Sequence, residues 1–168
     1  SNISSRNQYL VRLIEKDADV SLLYIGEGIF IFHHNFQQMA DLFTPYLPKD
    51  QQTFIERMAM DNQDIFWNDA AIAVPFEEVI SRAIFWENYI QQYPKSYFIK
   101  DAKVLFALYR HAIFFGSDNT QWTNDDINEF VSPEYEQAIK KLAEPTESVL
   151  TQDARTLLEF IATSDAQR

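Results

Sequence analysis

The chain has no cysteine, only three glycines and six prolines in 168 residues, and 14 basic residues against 25 acidic ones. Without cysteine there is no disulfide, no thiolate nucleophile and no zinc–thiolate centre. So few glycines and prolines cannot supply the turn roughly every ten residues that an all-β domain needs. The net charge of −11 repels phosphate backbones, and no lysine or arginine stripe offsets it. Nucleic acid is therefore not an expected partner. No apolar run of about 20 residues is present to cross a bilayer as a helix. Phosphate-cradling glycine loops, nucleophile-elbow serines, HExxH pairs and EF-hand spacings are missing as well, so no catalytic or metal signature stands out.

What is present suits a helical core. Hydrophobic residues make up 46% of the chain and aromatics 15%, including 14 Phe and 8 Tyr. That is enough apolar surface to exclude wholesale disorder. One domain over residues 1–168 is expected from the length. An acidic balance attracts cationic peptides, basic proteins or metal ions, and it also serves plain solubility. The chain opens Ser1-Asn2 rather than with Met, as a cleaved tag would leave it. Membrane tethering is expected only through a leader upstream of Ile3.

Along the chain, Leu10, Leu13 and Ile14 suggest a short first helix. Leu22, Ile25, Ile29, Phe32, Phe36, Met39 and Phe43 then recur at steps of three and four, which predicts a long helix. The rival is a β-hairpin with strands at 22–25 and 29–32 around Gly26-Glu27-Gly28. Helix is preferred because the seam reaches Phe43 without a phase break. Pro45 and Pro48 stop it. A helix from about Phe54 to Trp67 follows, then a connection or short helix over 68–74.

Residues 79–116 are the most legible stretch. Val79, Ala83, Trp86, Ile90 and Tyr93 form one stripe, widened by Ile80 and Phe85. After Tyr93-Pro94-Lys95-Ser96, a second stripe runs through Ile99, Ala102, Leu105, Phe106, Tyr109, Ala112 and Ile113. Ser96 suits an N-cap and Gly116 a left-handed helix terminus. Residues 117–121 read as loop and Thr123 as the cap of a short helix reaching Phe130. Ser132-Pro133 opens another, broken at Pro145, and a last helix spans 149–161. Pro48, Pro94 and Pro145 thus mark three helix–Pro–helix junctions at a spacing of roughly 50 residues, the sign of stacked helical hairpins. Three hairpins also satisfy a compact helix bundle.

Phe85, Tyr89, Tyr93-Pro94-x-Ser96, Ala102, Leu105 and Tyr109 resemble a unit of the tetratricopeptide-like repeats of bacterial periplasmic and outer-membrane-associated proteins. The likeness covers about 35 residues and extends loosely to the C-terminal pair, not to the N-terminal third. The junction spacing exceeds the usual repeat of about 34, and the polar insertion around residues 117–128 explains part of the excess. It implies an all-α stack of antiparallel hairpins in an α-α superhelix. It also implies an envelope-associated scaffold that binds a protein or peptide without catalysis and without a cofactor.

Three constellations bear on chemistry. His33 and His34 are adjacent and diverge on a helix, and His111 is distant, so no metal site is expected. Glu77 and Glu78 are also adjacent, with Glu27, Glu87 and Asp118 as conceivable partners. A hydrolase using paired carboxylates, which needs two facing acids, is the enzymatic alternative. The third is the polar loop at 116–122, which ends in Trp122 and sits between hairpins. Loops on rigid scaffolds contact partners, and tryptophan is enriched at binding hot spots. Asp118, Asn119, Trp122 and Trp67 are the expected partner-contact residues. An apolar small-molecule or lipid carrier would require an enclosed cavity between helices.

Overall fold

A computed structural model describes residues 8, 9, 12, 20–26, 28–34, 36–144 and 147–166. Leu10, Leu13, Ile14, Glu27 and Pro145 lie outside them. The chain divides into two compact units, residues 1–64 and 65–168, where the length suggests one domain.

In the first unit, β1 (Val20–Gly26) pairs antiparallel with β2 (Ile29–His34). The register runs from Val20↔His34 to Gly26↔Ile29, with a bulge between Tyr24 and Gly26. This overturns the helix expected over residues 22–32. Every residue of 29–32 is apolar, and Ile29, Phe30, Ile31 and Phe32 are all exposed on one face or the other of the hairpin. A run apolar on both faces matches a three-four template as readily as a period of two, so the seam carried no phase information there. Gly28 decides the matter locally. At φ 80 it supplies the turn, where a helix would have lost stability at each glycine.

The seam does become helical at α1 (Phe36–Phe43). A 3-10 turn, Thr44–Tyr46, follows with Pro45 inside it, and Thr44 Oγ1 donates to Ala40 O at 2.7 Å. The next helix, α2 (Lys49–Asp61), packs on α1. It stops short of the expected Trp67: Asn62, the C-cap, closes the last helical turn with its N–H on Met58 O (3.1 Å), and its Nδ2 donates to the same carbonyl (2.7 Å). His33 Nε2 meets Asn62 O at 2.7 Å and ties the hairpin to that terminus.

The second unit opens with a small ribbon, β3 (Trp67–Asn68) against β4 (Ala71–Ile72), in place of the connection or short helix expected at 68–74. Its two turn residues, Asp69 and Ala70, hold φ 49 and 56, as a two-residue hairpin with right-handed twist demands. Ala70 is exposed there and has a Cβ to strain. Replacing Ala70 by glycine is expected to stabilise this unit by about 0.5–1 kcal/mol, read by chemical denaturation; a loss of stability would contradict the strained turn.

Four helices follow: α3 (Phe76–Gln92), α4 (Ile99–Phe115), α5 (Pro133–Leu142) and α6 (Val149–Ala166). Pro75 precedes α3 and Glu77 and Glu78 occupy its first turn, favourable at the positive end of the helix dipole. Its buried residues Phe76, Val79, Ala83, Trp86 and Tyr89 recur at three and four. They face Ala102, Tyr109, Ala112 and Ile113 of α4. Between these helices Tyr89 Oη and Ser96 Oγ sit 2.7 Å apart, and Ser96 Oγ accepts the Phe98 N–H at 3.3 Å. The Tyr-Pro-x-Ser turn is thus pinned from the helix before it, but Ser96 is not the expected N-cap: its bond closes the turn one residue early, and α4 starts after Phe98 without a side-chain cap. Each large side chain buried this completely contributes roughly 1.5–3 kcal/mol.

The second pair, α5 and α6, also packs together, and α6 touches α4. As expected, Ser132 caps α5, accepting Glu134 N–H at 3.3 Å with Pro133 at the first position. The short helix expected at 123–130 is not formed. Asn124 Oδ1 accepts Asn128 N–H at 3.0 Å, Asn124 Nδ2 donates to Asn128 Oδ1 at 2.6 Å, and Asn124 N–H donates to Glu129 O at 2.9 Å. Asparagine side chains that satisfy the local backbone compete with the helix they were expected to start. The described residues therefore carry six α-helices and two small sheets, a mostly helical fold roughly consistent with the all-α expectation, to which the two β-ribbons are added. No helix among them is long and apolar enough to cross a membrane.

Candidate functional site

The loop at 116–122 is built by a chain of backbone demands. At the end of α4 Gly116 takes φ 66 and ψ −135, a positive φ as expected but outside the left-handed helical well. Ser117 and Thr120 then exchange N–H···O bonds of 2.8 and 3.1 Å, lifting Asp118 and Asn119 to an exposed tip. That tip is stitched to the ribbon. Asn119 N–H donates to Ala70 O (3.2 Å), Asn119 Nδ2 to Asp69 O (2.6 Å), and Ile72 N–H to Thr120 Oγ1 (2.9 Å). Trp67 lies on the same ribbon, 41% exposed, edge-on to Phe66 with ring centroids 4.8 Å apart. Three of the four expected contact residues, Asp118, Asn119 and Trp67, therefore belong to one joined surface feature.

Trp122 does not. It is 7% exposed, its Nε1 donates to Ala112 O at 2.6 Å, and its ring lies 4.5 Å from Phe76 and 4.8 Å from Tyr135. Its neighbours come from α3, α4 and α5, so it ties the two helical pairs together. It is a structural anchor rather than a contact residue.

The larger concavity lies elsewhere, between α3 and α5 and beside the start of α6. It encloses about 880 Å³. Ile80, Ile84, Ala138 and Leu142 supply apolar surface, with Ile84 40% exposed. Ile80, expected to widen the core stripe of α3, faces this groove instead. Glu77, Glu134, Glu144 and Glu147 stand exposed around it. At one end Glu87 is 6% exposed, and its Oε1 accepts the Val149 N–H at 2.6 Å. A carboxylate there satisfies an orphan donor and the dipole at the first turn of α6. Ser148 completes the cap, accepting Thr151 N–H at 3.0 Å. Thr151 Oγ1 returns to Leu142 O at 3.0 Å and closes the turn between α5 and α6.

A second cavity of about 550 Å³ sits between α4 and α6. Phe114, Phe115, Leu157 and Phe160 line it, with the Arg110–Asp153 pair at its side. That pair is bidentate, with Nε at 2.5 Å and the terminal nitrogen at 2.9 Å. The hydrogen bond that Arg110 donates to Asp153 raises the Arg110 pKa above its ordinary value, against the opposing pull of burial. His111 also borders this cavity.

Of the carboxylates that a paired-acid mechanism would need, Glu78 and Glu87 are each engaged elsewhere, Glu87 at the start of α6. Glu78 Oε1 takes Arg82 Nε at 2.9 Å, and that buried guanidinium lies over Phe66 and Tyr109 at 5.7 and 5.9 Å. Glu77 points away from Glu78, into the groove. His33 and His34 are successive residues of β2, facing opposite sides of the strand. Among the described residues no group of three or more His, Asp or Glu side chains is placed to hold a metal ion. No family model matches this chain, and comparison with curated proteins and with solved structures yields no match.

Proposed function

We propose that the chain is a non-catalytic scaffold of the bacterial envelope that holds a protein or peptide segment in the groove between α3 and α5. The observation that supports this most is the groove itself, about 880 Å³ with an apolar floor that includes a 40% exposed Ile84 and a polar rim. Such a concavity suits an amphipathic segment laid along a helix, a recurring mode of peptide recognition. The two helical hairpins beneath it are the rigid element that a binding site requires. The Tyr-Pro-x-Ser turn, like that of envelope tetratricopeptide-like repeats, supports the compartment and a repeat-type stacking of the hairpins.

Ile84 offers the direct test, because it faces the groove from the middle of α3 without being fully buried. Peptides selected from a display library on the wild-type protein should bind Ile84→Arg about tenfold more weakly or worse, with the unfolding midpoint little changed. Selected peptides that ignore the substitution would remove the groove from this reading. Fractionation of the tagged full-length protein tests the compartment separately; recovery in the cytoplasm would overturn that part alone.

The α4–α6 cavity favours a second reading, an apolar small-molecule carrier. Its aromatic lining by Phe114, Phe115 and Phe160 is what such a ligand would contact.

A further inference from the structure

Resting on the groove as the binding site, we infer that its occupant is a basic amphipathic α-helix of about four turns. Length comes first. The groove-facing residues of α3 run from Glu77 through Ile80, Ile84 and Glu87 to Gln91, a strip of about 21 Å at 1.5 Å per residue. A partner helix of about 14 residues laid beside α3 matches that span. Ile80 and Ile84 form the apolar centre of that strip, widened across the groove by Ala138 and Leu142 of α5, with polar groups at its ends and sides. That pattern complements apolar anchors at i, i+3, i+4 and i+7.

Charge chooses the partner's sign. Among the described residues five glutamates border the groove, Glu77, Glu87, Glu134, Glu144 and Glu147, against one cation, Lys141. Glu87 is committed to the α6 N-terminus, but the other four are exposed and surround the apolar floor. The protein carries a net charge of −11, so the long-range field has the same sign as the rim. An acidic segment would bring like charges against that rim, which opposes its binding. A lysine- or arginine-flanked helix would be drawn in by the field and held by the rim. A plain polycation would use the rim and leave the apolar floor in water. The floor therefore requires an amphipathic occupant.

The test uses the whole chain and three synthetic peptides of about 14 residues: an amphipathic leucine–lysine helix, a scrambled isomer of the same composition, and a leucine–glutamate twin. Binding is titrated while amide chemical shifts locate it. The basic amphipathic helix should bind at least about tenfold more tightly than either comparator, shifting the amides of Ile80, Ile84 and Ala138. Added salt should weaken it. A variant carrying Glu77→Gln, Glu144→Gln and Glu147→Gln should bind it about fivefold more weakly, with an unchanged fold by circular dichroism. Equal binding by the scrambled isomer would reduce the effect to polycation adsorption and overturn the inference. Equal or tighter binding of the acidic twin in the groove would overturn it too, while leaving a peptide-binding groove in place. If no peptide moves the groove amides, both the inference and the reading beneath it fall.

Discussion

Replacing Trp122 by alanine is expected to destabilise the second unit by about 3–5 kcal/mol, the usual range for deleting a buried tryptophan. The ring is 7% exposed and lies between Phe76 of α3 and Tyr135 of α5. Its removal opens a cavity at the junction of the two helical pairs. The lost hydrogen bond adds little to this. Ala112 O accepts the Gly116 N–H at 3.1 Å as well as Trp122 Nε1, so the carbonyl is not orphaned. Trp122→Phe separates the two contributions, keeping most of the packing while losing the donor, and should cost well under half as much. Trp67→Ala is the control. That side chain is 41% exposed on its two-stranded ribbon, and its loss should cost about 1 kcal/mol or less. Thermal unfolding followed in the near ultraviolet reports each change, and on a unit of this size the Trp122→Ala midpoint should fall by roughly 15 °C or more. Equal shifts for Trp67→Ala and Trp122→Ala would show that Trp122 is not an anchor. The same result guards any binding experiment, because loss of partner binding in Trp122→Ala would report unfolding rather than contact.

How far the fold could be read from the sequence depended on whether the signal was local. The α3–α4 pair was legible because its period, Pro94, Ser96 and Gly116 all act within one or two turns of where they sit. The Ser132-Pro133 start of α5 was legible for the same reason. The strands at 20–34 were not, because residues 29–32 are apolar on both faces and fit either period. The absent helix at 123–130 turned on a competition between Asn124 and the backbone that a capping pattern does not show. The groove was the least legible feature. In the sequence Glu77 and Glu87 read as candidates for a carboxylate pair, and Ile80 as part of a wider core stripe. What gives them a common purpose is the packing of α5 and α6 against α3, including the Glu87–Val149 bond across 62 positions of sequence. No local period encodes that.

The largest effect of a small change is expected at Gly116. A Cβ built there would lie 2.0 Å from Thr120 O and 3.1 Å from Thr120 C. Both are backbone atoms, so no side chain can swing aside to relieve the clash. The backbone itself stands at φ 66 and ψ −135, a region used almost only by glycine and costing other residues about 1–3 kcal/mol. Strain and clash act together, and Gly116→Ala should cost about 3 kcal/mol or more. The damage should also have a direction. Thr120 O accepts Ser117 N–H at 2.8 Å, and moving it loosens the turn that sets Asn119 against Ala70 and Thr120 against Ile72. Amide exchange should therefore quicken at Asn119 and Ile72 by more than at the buried centre of α3. Gly28 supplies the comparison. Its φ of 80 is equally unfavourable to a side chain, yet among the described residues no atom beyond its chain neighbours lies within 4 Å of a Cβ placed there. Gly28→Ala should therefore cost only the conformational part, about 1–2 kcal/mol, read by amide exchange within its own unit. If the two alanine variants loosen their units equally, the close approach of Thr120 is not what requires glycine at position 116. The loop would then owe its shape to the ribbon that it is bonded to, rather than to the end of α4.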